Sequence, residues 1–207
     1  MANPKRFPIV KSKTFVTDVV TAVFPYLHEE SKFGGYEVNA DMLAEPELHA
    51  RLGEQARVVW NQAAEEFGFD ASQSPANALF REGETKDGET FTRARFKMKS
   101  TRKVKGNEVP VSPTIVDAQN NPCTEAIYGG SKVQIAYFVQ YAQVNGNHYL
   151  SLKLTAVRVI ELCSASGERS AGDIFGAGVD GFQSSGAAPV PAAPAAEEAD
   201  TSVGYDW

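Results

Sequence analysis

The chain has 207 residues, 43% of them hydrophobic, enough for one proper core and so for one domain with appendages. Its formal net charge of −6 argues at first against a nucleic-acid partner, but the charge is unevenly spread. Of 20 Lys+Arg and 26 Asp+Glu, one and seven fall in residues 164–207, so residues 1–163 hold 19 of each and are net neutral.

Lys5, Arg6, Lys11 and Lys13 make the N-terminus a short basic arm. Thr14 to Phe24 has strand composition, ended by Pro25, and Tyr36 to Met42 reads as a second strand after a loop turned by Gly34-Gly35. Pro46 then opens a helix of about six turns in which Leu48, Leu52, Val59, Ala63 and Phe67 recur at helical spacing until Gly68. Glu47 and Arg51 are placed as an i,i+4 pair, and Trp60 beside the apolar stripe as a packing residue. A helix in so β-rich a chain reads as an insertion across one end of a barrel or sheet, and Phe69 to Gly88 as a long polar connection.

The stretch from Phe91 to Lys105, FTRARFKMKSTRKVK, is the chemical centre of the chain. Alternation over Phe91 to Lys99 puts Phe91, Arg93, Arg95, Lys97 and Lys99 on one face of a strand and Ala94, Phe96 and Met98 on the other. Same-face neighbours lie roughly 6.6 Å apart, so these cations repel one another unless an anion lies along them. Arg102, Lys103 and Lys105 extend the row. The plain alternative is a solvated edge strand whose charges block edge pairing, but a solvated face usually mixes both signs.

Pro110, Pro113 and Asn120-Asn121 bracket a short strand at Thr114 to Asp117. Gly129-Gly130-Ser131-Lys132 lacks phosphate-loop spacing and precedes a strand, so it is a turn. In Val133 to Tyr141 the residues Val133, Ile135, Tyr137, Val139 and Tyr141 share a face, with Lys132 and Phe138 opposite. Asn145-Gly146 signals a hairpin into Tyr149–Leu162, where Leu150, Leu152 and Leu154 face in and Ser151 and Lys153 face out. Short antiparallel strands with one helix point to a small Greek-key barrel. Residues 164–207, with an Ala/Pro spacer before Glu197, Glu198, Asp200, Tyr205, Asp206 and Trp207, read as a disordered acidic tail with a reach of roughly 35–40 Å.

Cys123 and Cys163 have no CxxC spacing or His cluster, which suggests neither a disulfide framework nor a zinc site. No secretory h-region or long apolar run is present, so neither secretion nor membrane insertion is expected. His28, His49 and His148 fall in unrelated segments without a nucleophile or paired acid, so no enzyme, cofactor or metal is expected.

EGETKDGETFTRARFK, PTIVDAQN, GGSKVQIAYFVQY and LSLKLTAVRVIEL, in this order, resemble the single-stranded DNA-binding proteins of tailed bacteriophages, especially the short-tailed coliphage type. The similarity covers roughly Thr14 to Leu162, and EEADTSVGYDW matches that family's acidic, aromatic-ended tail, though it is less acidic and closes on Trp207 in place of Phe. The resemblance implies a mainly β oligonucleotide-binding (OB) barrel with an inserted helix over 1–163, a tail over 164–207, and sequence-tolerant coating of single strands in replication, recombination and repair. It also implies a tail that recruits a phage DNA polymerase, helicase or primase through Glu197, Glu198, Asp200, Tyr205, Asp206 and Trp207, in the cytoplasm of the infected host, with a homodimer left open. Candidate DNA contacts are the cations Arg93, Arg95, Lys97, Lys99, Arg102, Lys103, Lys105, Lys132 and Lys153 with the aromatics Phe91, Phe138, Tyr141 and Tyr149. A one-residue gap decides between Phe138 and Tyr141 as the outward aromatic. A phage structural or adaptor barrel would leave the basic strip unexplained, and an RNA-binding OB module would use the same contacts.

Overall fold

The computed structural model describes residues 8–163; Lys5, Arg6 and all of the expected tail lie outside the described residues. Five strands close the barrel: β3 (Val20–Tyr26), β4 (Tyr36–Asp41), β6 (Thr90–Met98), β10 (Lys132–Val144) and β11 (Asn147–Glu161). Neighbours pair in the order β3, β4, β6, β11, β10 and back to β3, all antiparallel except β6 with β11. A five-stranded barrel with this connectivity is an OB fold. Short strands add to its rim, β1 (Ile9–Lys11) and β2 (Phe15–Val16) on β10, β5 (Phe80–Glu84) on β6 and β9 (Thr114–Val116) on β11. β7 (Thr101–Val104) and β8 (Asn107–Pro110) form a separate, fully exposed hairpin.

The alternation in the sequence builds this barrel directly. Val38, Ala40, Ala94, Phe96, Val133, Ile135, Tyr137, Val139, Leu152 and Leu154 all turn inward and are buried, so each strand gives alternate residues to one core. β10 and β11 pair along nearly their whole length because Asn145 and Gly146, both at positive φ, make the two-residue turn that matches strand twist. The helix α1 (Pro46–Phe67) starts at Pro46, stops at Gly68 in the left-handed region, and buries Leu48, Leu52, Ala56, Val59, Trp60 and Ala63 against the same core. Trp60 donates from Nε1 to the Ala71 carbonyl at 3.0 Å.

Three expectations are corrected. Pro25 does not end the first strand; β3 passes through it at a bulge between Val23 and Tyr26, with Phe24 at φ 47°. Arg51 pairs with Asp18 at 3.0 Å and not with Glu47. Phe69 to Gly88 contains a strand, β5, hairpinned to β6. Lys11 of the basic arm lies in β1, which takes β10 as its partner: Ile9, Val10 and Lys11 stand opposite Ala142, Tyr141 and Gln140.

Candidate nucleic-acid interface

The outward parity of β6 is the start of the site. Arg93, Arg95 and Lys97 point away from buried Ala94 and Phe96 and line a groove of about 590 Å³ with Phe91. Strand pairing supplies more of its floor: Asn39 and Glu37 of β4 stand opposite Arg95 and Lys97, and Lys153 of β11 stands beside Lys97. The groove also takes in Arg81 of β5, Ser151 of β11, Phe24 and Tyr26 of β3, and Phe33 of the β3–β4 connection. Phe24 and Phe33 are 59% and 71% exposed. Large aromatic faces open to solvent beside cations are stacking platforms for bases.

Arg93 shows how the groove is held. Its guanidinium carbon lies 3.9 Å from the Phe91 ring centre and 5.3 Å from that of Phe24, so the cation is sandwiched between two rings. Its Nε is buried and makes no hydrogen bond within the protein, so the rings, not hydrogen bonds, hold it. Phe91 can lie flat there because its partner is Gly83, where a Cβ would come within 2.6 Å of the ring.

A second groove, about 350 Å³, continues from the first through Lys97 and Lys153, which line both. It adds Lys99, Arg102, Phe138 and Gln140, and Lys11 sits with its ammonium 5.3 Å from the Phe138 ring centre. Across neighbouring strands the register thus sets Glu37, Lys97, Lys153 and Phe138 in one transverse row, at about 4.8 Å per strand. Burial, then the charges of Lys99, Lys97 and Lys11, push the Lys153 ammonium below the ordinary lysine range.

Seven of the expected contacts therefore meet on one continuous surface: Phe91, Arg93, Arg95, Lys97, Lys99, Phe138 and Lys153, with Arg102 at its rim. Lys103 and Lys105 stand on the projecting β7–β8 hairpin and line neither groove. Lys132 lies at the far end of β10 and donates to Thr21 Oγ1 at 2.8 Å, and half-buried Tyr149 lines neither groove. Tyr141 is corrected. It faces the core beneath α1, fully buried, its ring stacked on Phe67 and Phe69 and its hydroxyl 2.7 Å from His148 Nδ1, so no face is left for a base. The sequence reading missed Phe24, Tyr26, Phe33, Arg81 and Glu37. Phe24 lies at a bulge and Phe33 in a loop, where no period marks them; Glu37 was visible as the polar residue alternating with Val38.

Among the described residues no cluster of three or more His, Cys, Asp or Glu side chains could hold a metal, and no helix is long and apolar enough to cross a membrane. No protein-family model and no curated protein sequence matches the chain. Solved structures do. Gp2.5, a single-stranded DNA-binding protein encoded by bacteriophage T7, superposes with a TM-score of 0.58 at 20% identity, over 85% of this chain and 100% of that one. The single-stranded DNA-binding protein of bacteriophage Enc34 superposes at 0.53 with 12% identity, over 78% and 89%. Its complex with single-stranded DNA superposes at 0.52, with 12% identity, over 72% and 86%. The chain thus shares its OB fold with single-stranded DNA-binding proteins of bacteriophages.

Proposed function

We propose that this protein coats single-stranded DNA with little sequence preference, using the two joined grooves. The observation that carries this is the continuity of cations and aromatic rings from exposed Phe24 and Phe33 through Lys97 and Lys153 to half-buried Phe138. Phosphates following the cations while bases stack on the rings needs no bond-making chemistry, and the two contributions tolerate any sequence. The likeness in fold to phage proteins that bind single strands supports the same reading, and with it a role in phage replication, recombination and repair inside the infected host. The acidic segment Glu197 to Trp207 serves as the handle for a replication polymerase, helicase or primase, and competes with DNA for the basic groove.

Titration of the protein with single-stranded DNA, duplex DNA and RNA at several salt concentrations tests this. About four phosphate contacts give a log-affinity against log-salt slope near −3 for single strands. Equal affinity for duplex and single strand overturns the reading, and tighter binding of RNA replaces it with an RNA module.

A further inference from the structure

A buried carboxylate is an unexpected lining for a groove that serves phosphates. Glu37 stands on the outer face of β4, its side chain 8% exposed, yet it lines the first groove with Phe24, Tyr26 and Phe33. Its Oε2 accepts no hydrogen bond from the protein, and the Lys97 ammonium opposite is 4.0 Å away, beyond hydrogen-bond range. Leaving a buried carboxylate oxygen short of donors costs folding free energy, and its charge repels a phosphate brought near it.

We infer that Glu37 reads a base, and that the base it favours is guanine. This rests on the strand-binding reading above and adds to its sequence-tolerant contacts a single position that discriminates. The exposed rings of Phe24 and Phe33 bring a base, not a phosphate, to this part of the groove. Two acceptors stand there among the groove's cations: Asn39, one amide N–H of which goes to the Val23 carbonyl at 3.2 Å, offers its oxygen, and Glu37 adds its carboxylate. Guanine alone presents two neighbouring donors, N1–H and N2–H, to such a site. Adenine and cytosine present one amino group beside a ring acceptor, and thymine one N–H between two carbonyl oxygens that the carboxylate repels. Lys97 lines both grooves, so drawing its ammonium to a phosphate on the second uncovers Oε2 for the base edge on the first.

The test uses the full chain and thymidine oligomers carrying one central dG, deoxyinosine or no replacement, with affinity read by fluorescence anisotropy. The wild type is expected to bind the dG oligomer about 5- to 100-fold more tightly than the all-thymidine one, the range of a bidentate base contact. Deoxyinosine, which lacks the N2 amino group, should lose most of that advantage. Glu37→Gln should bring its affinities for the dG and all-thymidine oligomers to the same value. Equal wild-type affinity for all three oligomers, or a dG advantage that survives in Glu37→Gln, overturns the inference and leaves strand binding standing. Should Glu37→Gln fail to fold, the deoxyinosine comparison on the wild type decides alone. Failure of every oligomer to bind would overturn the strand-binding reading instead.

Discussion

Lys153 carries the conflict between stability and binding in one side chain. It is a partly buried ammonium facing Lys97, Lys99 and Lys11, and its depressed proton affinity records the cost of keeping it charged in the fold. The sign follows from linkage. In the window between its folded value and the higher unfolded one the unfolded chain holds more protons, so folding stability rises with pH as Lys153 loses its charge. Lys153→Met keeps the stem and removes the charge, and should raise the melting temperature at neutral pH by about 2–4 °C, the response of a chain this size to about 1 kcal/mol. That gain should fade in alkaline buffer. The same variant should bind single strands more weakly with a shallower salt slope, since one phosphate contact is gone. A melting temperature that falls, with unchanged affinity, would show that Lys153 serves only packing.

At the scale of elements, β5 shows why a strand can be invisible and still shape the site. Phe80–Glu84 is FREGE, an edge strand with four of five residues exposed, so no core demand imprints a period of two on it. By contrast β6, β10, β11 and α1 each bury one face or stripe and were legible from spacing alone, whereas the choice between Phe138 and Tyr141 as the outward aromatic stayed open until the β10 register placed Tyr141 in the core. The aromatics of β3 and its following loop escaped because a bulge and a loop obey no period. What β5 contributes is Gly83, the flat seat of the Phe91 ring, and so the sandwich around Arg93. Gly83→Ala should tilt that ring and not unfold the barrel, because the obstruction is the far end of a side chain at an exposed edge. The expected result is a fewfold loss of single-strand affinity, on the order of half of the 1–3 kcal/mol attributed to a stacking aromatic, with an unchanged melting temperature. Equal losses in Phe91→Ala and in Phe91→Ala/Gly83→Ala would confirm that Gly83 acts through the ring, whereas full wild-type affinity in Gly83→Ala would remove Phe91 from the site.

Over the whole molecule the division of charge is the organising fact. The 163 residues that include the barrel are net neutral, so the cations gathered along β6, β11 and β1 are balanced by acids elsewhere, and the entire excess of −6 belongs to residues 164–207. Neutrality of the body explains why overall pI misleads about the partner: a phosphate chain senses the local row of Arg93, Arg95, Lys97, Lys99 and Lys153, since charges more than about 10 Å away are screened at 0.1 M salt. The acids of 164–207 are the one concentrated anion in the chain able to imitate that phosphate chain, and the proposed competition between them and DNA is mass action between two anions for one groove. Removing Glu197 to Trp207 takes away Glu197, Glu198, Asp200 and Asp206, more than half of the seven acids there. The truncated protein should therefore bind single strands more tightly than the full chain at low salt, and the two affinities should converge as salt rises, because screening weakens both anions' hold on the groove. Its capture of a replication polymerase, helicase or primase should be lost under the same conditions. Equal DNA affinity at every salt concentration would end the competition proposal, and retained capture would move the partner site off the tail and onto the barrel.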